Sequence, residues 1–89
     1  MSWRLEYSKK ALRQLRKMDP GQRAIVLLWM DKNIDGCDDP RTHGKGLTAS
    51  RAGQWRYRVG DYRMLCDLRD DGLVVLAIEI GHRSVVYGR

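Results

Sequence analysis

The sequence predicts a two-layer α+β fold in which two amino-terminal helices pack on one face of a mostly antiparallel, four-stranded sheet. Apolar residues recur at helical spacing between residues 9 and 34. In the carboxyl-terminal half they alternate with charged residues, as in strands that have one buried and one solvated face. The chain has 89 residues, which is enough for one hydrophobic core but not for two. We therefore expect residues 1–89 to form a single domain.

The amino-terminal segment predicts a strand followed by a helical hairpin. Apolar side chains alternate over residues 3–7, and Ser8 is a suitable cap for the helix that follows. The apolar stripe of this helix consists of Ala11, Leu12, Leu15 and Met18. Asp19-Pro20 supplies the cap and the first-turn proline of a second helix, which we expect to run to about Ile34 and to stop at Gly36.

Residues 55–63 predict a β-hairpin. The apolar residues Trp55, Tyr57 and Val59 alternate with Arg56 and Arg58. Gly60-Asp61 suits a two-residue turn, because glycine readily adopts the positive φ needed at the first central position. This turn places Arg58 directly opposite Arg63. Like charges in that arrangement destabilise a sheet, so we expect an anion to bind beside the pair.

The register of the next hairpin, around residues 70–72, follows from the requirement that charged side chains stay out of the core. A two-residue loop would bury Arg63 and Asp67 without partners, which is strongly unfavourable. We therefore predict a three-residue loop over residues 70–72, with Gly72 in the left-handed region. This register places Arg63 opposite Glu79. A salt bridge between these two residues is the structural alternative to a catalytic Arg63.

On this register one face of the sheet is apolar and the other is basic. The face covered by the helices comprises Trp55, Tyr57, Tyr62, Met64, Cys66, Leu68, Val74, Leu76, Ile78 and Ile80. The uncovered face carries Arg56, Arg58 and Arg63. We expect Leu65, Val75 and Ala77 to lie exposed beside these arginines, as an apolar strip for a partner protein.

The charge distribution indicates a polyanionic partner. The chain has 17 Lys and Arg against 11 Asp and Glu. Residues 40–60 contain no acid and carry Arg41, Lys45, Arg51, Arg56 and Arg58. A field of one sign is typical of surfaces that bind nucleic acid, an acidic protein segment or, less often, an anionic membrane surface. Residues 37–52 show no periodicity, so we expect a long loop, which in a small domain is often functional.

Other classes of protein are disfavoured by the sequence. The longest apolar run, residues 24–30, is seven residues long, whereas a membrane-spanning helix needs about 20. The amino terminus has no signal-peptide core, and we expect a cytoplasmic protein without a membrane partner. The two cysteines, Cys37 and Cys66, lack the spacing of metal ligands, so we expect neither a metal site nor a cofactor.

The carboxyl terminus adds further reactive groups. His82 and Arg83 follow the last long strand and Tyr87 comes shortly after them, so an imidazole, a guanidinium and a phenol lie within six residues. Structural alternatives are a hydrogen-bonded surface role for His82 and an aromatic plug at the core edge for Tyr87. No such alternative accounts for all of these residues together.

The whole chain resembles the RelE/ParE-superfamily toxins of bacterial toxin-antitoxin pairs. The resemblance is carried by residues 55–63 and by Gly81-His82-Arg83 with Val86-Tyr87, supported by residues 40–45 and the helical hairpin. RelE-like members of this superfamily are ribosome-dependent endoribonucleases that cut messenger RNA, whereas ParE-like members inhibit DNA gyrase on a similar scaffold. Fold alone does not separate these activities.

The resemblance also implies roles for individual residues. Arg63 and Arg83 match family positions that stabilise the phosphate and assist the leaving group. Tyr87 matches the aromatic residue that orients the substrate or stacks on it. We expect Lys45 and Arg51 to bind the RNA backbone through its phosphates.

The chain departs from the family pattern at Arg56 and Arg58. The best-known RelE pattern has lysines there, one of them proposed as the general base, and arginine is a poor base because it keeps its proton near neutral pH. Either the base has moved to His82, since histidine titrates in the physiological range, or the two arginines only hold the RNA backbone. We favour His82 as the base, with Arg58 in the catalytic set and Arg56 in RNA binding.

The sequence thus predicts a metal-independent endoribonuclease that cleaves ribosome-bound messenger RNA by 2′-hydroxyl attack. Its expected partners are the ribosome, messenger RNA and a cognate antitoxin whose acidic, amphipathic segment wraps around the toxin. Two alternatives remain open. One is a gyrase inhibitor that does no chemistry, and the other is a domain that has lost activity and only binds its antitoxin.

Overall fold

A computed structural model of the chain describes residues 1–47 and 53–82. Its helices are α1 (Lys9–Lys17) and α2 (Pro20–Asn33), and a short 3-10 turn spans Pro40–Thr42. Its strands are β1 (Arg4–Tyr7), β2 (Lys45–Gly46), β3 (Gln54–Val59), β4 (Tyr62–Arg69) and β5 (Val74–His82). The sheet has the order β1-β5-β4-β3-β2, in which β1 is parallel to β5 and the other neighbours are antiparallel.

The helical hairpin has the predicted boundaries because its capping residues are in place. The Ser8 hydroxyl oxygen accepts a hydrogen bond from the backbone N–H of Ala11 at 3.0 Å. The Asp19 carboxylate accepts from two backbone N–H groups in the first turn of α2, at 3.0 and 3.2 Å. Gly36 follows the end of α2 with a φ of +81°. Within the described ranges, neither helix is long and apolar enough to cross a membrane.

The hydrophobic core lies between the helices and one face of the sheet. The helices contribute Ala11, Leu15, Val26 and Met30. The sheet contributes Tyr57, Val59, Met64, Cys66, Leu68, Val75, Ala77 and Ile80. Trp55 and Tyr62 are half-buried against this cluster. The helices therefore cover the predicted face of β3 and of the start of β4.

Within the described residues the sheet has five strands instead of the expected four. The additional strand is β2, in which Lys45 lies opposite Arg56 and Gly46 lies opposite Trp55. The expected long loop over residues 37–52 is therefore interrupted by this strand and by the 3-10 turn. A strand of two residues shows no alternation, so the sequence carried no periodic signal for it.

The β4–β5 loop differs from the predicted three-residue loop. Arg69 lies opposite Val74, so the loop contains residues 70–73. The positive φ, +53°, falls on Leu73 instead of Gly72. Alternation along the strands specifies which residues share a face, but it does not specify loop length when a strand contains an irregularity.

That irregularity is a β-bulge beside Leu65 and Cys66. Leu65 lies opposite Glu79. The next residue of β4, Cys66, lies opposite Ala77, so Ile78 is an extra residue on β5. An extra residue reverses the side-chain alternation of its strand, because the side-chain period of a strand is two residues.

The bulge abolishes the apolar strip expected on the uncovered face. Val75 and Ala77 are fully buried in the core. They precede the extra residue Ile78, and the side chains before it alternate between the two faces in the opposite sense to those after it. Leu76 and Ile78, which were expected in the core, are only half-buried. Leu65 is 5% exposed, so it offers almost no surface to a partner.

Candidate nucleic-acid interface

A basic groove lies on the sheet face opposite the helices. It has a volume of about 250 Å³ and is lined by Gly44, Lys45, Arg56, Arg58 and Arg63. Three adjacent strands, β2, β3 and β4, supply the four cations. Because the described residues that line it include no acid, they give the groove a positive electrostatic potential that suits phosphate groups.

Arg58 and Arg63 form the predicted like-charge pair in this basic groove. They lie directly opposite each other across the β3–β4 hairpin, whose turn contains Gly60 with a φ of +58°. Arg63 is half-buried, and its Nε atom is buried without a hydrogen-bond partner among the described residues. No ion pair in that part of the chain involves either guanidinium. The pair is therefore available to an anion.

Glu79 does not supply the counter-charge for Arg63. The predicted register is wrong here, because Arg63 lies opposite Gly81 and Glu79 lies opposite Leu65. The Glu79 carboxylate is 3.5 Å from the Nζ atom of Lys10 on α1. The salt bridge proposed as an alternative role for Arg63 is thus not formed in the structure.

Lys45 and Arg56 form a second like-charge pair beside the first. They lie opposite each other in the ladder between β2 and β3. Gly44 precedes Lys45 with a φ of +75°, and a Cβ atom there would clash with the Arg56 carbonyl and lie 2.9 Å from Nε1 of Trp55. Glycine is therefore required at this position for β2 to reach β3.

Two side chains of β3 hold the segment that precedes β2. The indole N–H of Trp55 donates to the carbonyl of His43 at 2.6 Å. The hydroxyl of Tyr57 donates to the carbonyl of Pro40 at 2.7 Å in a buried hydrogen bond. Burial raises the pKa of Tyr57, so the phenol keeps the proton that it donates. These bonds explain how a two-residue strand keeps its place.

The structure does not bring His82 together with the groove arginines. His82 lies opposite Tyr62, and the two rings make an edge contact with their centroids 5.8 Å apart. Tyr62 packs against the core, on the face covered by the helices. Neighbouring residues of a strand point to opposite faces, which places His82 on the other face from Arg63.

The remaining predicted site residues lie outside the described ranges. They are Arg51, Arg83 and Tyr87. Their roles stay predictions, and the described site consists of Lys45, Arg56, Arg58 and Arg63. No group of three potential metal-ligating side chains occurs within residues 1–47 and 53–82.

A second groove on the helix layer was not predicted. It has a volume of about 470 Å³ and is lined by Ile25, Leu28, Trp29, Lys32, Asn33 and Val59. Ile25 is 52% exposed and Leu28 is 68% exposed. The signal was present in the sequence: residues 24–30 are all apolar, and seven consecutive residues occupy every side of a helix. Some of them must therefore face away from the core.

Comparison with protein families gives a match over nearly the whole chain. Residues 5–87 match the family described as the ParE toxin of type II toxin-antitoxin systems. The chain is also 28% identical over 89 residues to Toxin RelG of Mycobacterium tuberculosis (strain ATCC 25618 / H37Rv), with 100% of both chains covered. The two proteins are therefore similar from end to end.

Solved structures share the architecture. The toxin-antitoxin complex RelBE2 from Mycobacterium tuberculosis contains a chain with a TM-score of 0.82 and 26% identity, with 94% of each chain covered. The isolated E. coli RelE toxin has a TM-score of 0.72 and 20% identity, covering 98% of this chain and 93% of that one. At 20% identity the likeness shows the fold alone.

Proposed function

This chain belongs to the ParE toxin family of type II toxin-antitoxin systems, within the RelE/ParE superfamily, and we propose that it is a ribosome-dependent endoribonuclease that cleaves messenger RNA. The observation that carries this proposal is the basic groove, where the cations of three strands converge on the uncovered face of the sheet. RNA phosphates would place anions between like charges that otherwise repel each other.

The proposed chemistry is attack of a 2′-hydroxyl on the adjacent phosphate. Negative charge collects on the phosphorane oxygens as this reaction proceeds, and preorganised cations aimed at that charge lower the barrier. Arg58 and Arg63 are suited to this role, because both line the groove and neither has an ion-pair partner in the described part of the chain. We assign Arg83 to the departing 5′-oxygen and Tyr87 to orienting the substrate.

We assign substrate binding to Lys45, Arg51 and Arg56. Lys45 and Arg56 lie in the same groove as Arg58 and Arg63: Arg56 shares β3 with Arg58, and Lys45 is on the neighbouring strand β2. Contacts of this kind position the backbone and carry no sequence information. They are expected to affect binding more than the rate of the chemical step.

The role of His82 as general base stays a prediction. Its ring lies beside Tyr62 at the end of β5, so it would have to reach a bound phosphate around the edge of the sheet. This placement weighs against direct proton transfer from the 2′-hydroxyl to His82, because a general base must come within hydrogen-bond distance of the proton.

The direct test is single-turnover cleavage of messenger RNA on programmed ribosomes. We expect the wild-type chain to cleave the RNA, and we expect Arg4→Gln to cleave it equally well. Arg4 makes an exposed ion pair with Glu6 at 2.8 Å on β1, at the opposite edge of the sheet from β2, so this variant controls for the loss of one positive charge. Intact RNA after incubation with the wild-type chain and ribosomes would refute the proposal.

A second candidate function is inhibition of DNA gyrase. It is favoured by the family match, whose description names the ParE toxin. Expression of the chain alone separates the two functions: a ribonuclease depletes intact messenger RNA, whereas a gyrase inhibitor causes DNA breaks and filamentation. A chain that does neither, yet binds an antitoxin, would be an inactive antitoxin-binding domain.

We further propose a cognate antitoxin as the protein partner, in the cytoplasm. The RelBE2 relative was solved as a toxin-antitoxin complex, and the basic groove would attract an acidic segment by charge complementarity. The exposed apolar strip that we expected to receive the antitoxin is absent, because Val75 and Ala77 are buried.

A further inference from the structure

We infer that Arg41 is a positioning residue for the basic groove: its ion pair with Asp70 holds residues 39–46 against β3 and thereby places Lys45 among the groove cations. The inference rests on the proposed function only for its consequence in RNA binding. The holding of the segment itself can be tested without RNA.

Arg41 connects three separate parts of the fold. Its two terminal nitrogens donate to the two carboxylate oxygens of Asp70, in the β4–β5 loop, at 3.0 and 2.9 Å. Its guanidinium carbon lies 5.9 Å from the ring centroid of Trp3 and 6.0 Å from that of Trp55. Two parallel hydrogen bonds set both the distance and the orientation of the group. Arg41 therefore anchors the segment to the chain before β1, to β3 and to the β4–β5 loop.

The segment needs this anchor because its own ladder is weak. β2 contains two residues, and within it Lys45 lies opposite the like-charged Arg56. A ladder of two residues supplies few hydrogen bonds between β2 and β3 and is weak by itself. The hydrogen bonds from Trp55 to His43 and from Tyr57 to Pro40 tie the segment to β3, and the two hydrogen bonds from Arg41 to Asp70 add a third attachment, to the β4–β5 loop.

Arg41 is not placed to bind RNA in the groove. The residues that line the groove include Lys45 but not Arg41. The Trp55 ring beside Arg41 is half-buried against the core, on the face covered by the helices. Arg41 thus acts on the groove through the segment that carries Lys45.

The first arm of the test measures the attachment directly by NMR. The chain has 3 Trp, so the indole N–H signal of Trp55 can be resolved and its hydrogen exchange followed. We expect Arg41→Gln and Asp70→Ala each to accelerate this exchange about two- to fivefold, since each removes the same exposed ion pair. Arg4→Gln, which breaks the exposed pair with Glu6, should leave it unchanged. Unchanged exchange of the Trp55 indole N–H in both Arg41→Gln and Asp70→Ala overturns the inference.

The second arm distinguishes positioning from direct phosphate contact. If Arg41 positions Lys45, Asp70→Ala and Arg41→Gln both weaken binding to programmed ribosomes. This holds even though Asp70→Ala removes a negative charge, which by itself would favour binding to RNA. We expect each variant to raise the half-saturating ribosome concentration about threefold, with the saturated cleavage rate unchanged within about twofold. If Arg41 touches phosphate instead, Asp70→Ala binds as tightly as the wild type or more tightly, which overturns the inference. Failure of the wild-type chain to cleave refutes the proposed function, while the exchange measurement still decides the role of Arg41.

Discussion

Arg58 and Arg63 lie directly opposite each other in the ladder between β3 and β4, and neither takes part in an ion pair within the described residues. An opposite charge at either position would make the sheet more stable. The two-residue turn at Gly60 sets the hairpin register, so the arginines cannot avoid each other by slipping along the ladder. The chain therefore keeps a local repulsion that a bound phosphate would relieve.

Arg63→Ala should separate catalysis from stability. We expect single-turnover cleavage on programmed ribosomes to fall about 100-fold or more, as on loss of one preorganised donor to transition-state charge. The free energy of unfolding, measured with urea, should hold or rise by up to about 1 kcal/mol, since a like-charge pair is removed. Normal cleavage would show that Arg63 takes no part in catalysis, and an unfolded variant would show that it has a structural role.

Lys45→Ala and Arg56→Ala should weaken binding more than chemistry. Each removal of a phosphate contact is expected to reduce the salt-dependence slope of RNA binding by about one unit. The saturated cleavage rate should stay nearly intact, and Arg51→Ala is expected to behave in the same way. Lys9→Ala, on the exposed start of α1, is the control. A lower saturated rate at unchanged affinity would move the residue concerned into the catalytic set.

His82→Gln tests the assignment of the general base. If His82 takes the 2′-hydroxyl proton, single-turnover cleavage at neutral pH falls sharply in this variant, because glutamine cannot accept a proton. The ring lies beside Tyr62, on the other face of the sheet from Arg63, and from this placement we expect the rate to survive. A large fall in the rate, with the free energy of unfolding unchanged, would show that His82 is the base and that its side chain reaches the groove.

Tyr57→Phe should destabilise the fold, whereas Tyr7→Phe should not. The Tyr57 hydroxyl donates to the buried Pro40 carbonyl, so its removal leaves an acceptor unsatisfied and should lower the free energy of unfolding by about 1 to 2 kcal/mol. The Tyr7 hydroxyl is buried without a partner in the described part of the chain, so Tyr7→Phe should be neutral or stabilising. Equal losses of unfolding free energy in both variants would contradict a stabilising role for the hydrogen bond from Tyr57 to Pro40. Urea unfolding at neutral pH measures both.

Asp70 should make stability depend on pH at the acid end of the range. Its hydrogen bond with Arg41 lowers the pKa of Asp70 below the ordinary value of 3.8. A group whose pKa is lower in the folded state contributes stability that is complete above the unfolded pKa and is lost as pH falls through the folded pKa. The difference in urea midpoint between wild type and Asp70→Ala should therefore be constant from about pH 5 to 7 and shrink below about pH 3. A difference that persists unchanged at pH 2 would show that the carboxylate charge is not its cause.

Much of the architecture followed from signals between near neighbours in the chain. Ser8 and Asp19 begin their helices at the predicted residues, because a cap bonds to backbone groups two or three positions away. The opposition of Arg58 and Arg63 followed from the turn at Gly60, because the turn between two strands sets their register. Periodicity also assigned the α+β class and, for β3 and β4, the face that the helices cover.

Contacts between distant segments set the rest. The bulge at Ile78 places Val75 and Ala77 in the core, an outcome that depends on packing against α1 and α2 and that alternation within β5 cannot reveal. Lys45 reaches the groove because side chains of β3 hold the segment that precedes it. The bulge and the longer loop also shift the pairing at the end of β5 by two residues, so Arg63 lies opposite Gly81 instead of Glu79 and Tyr62 lies opposite His82, because register is known only once every loop residue and every irregularity along the strand has been counted.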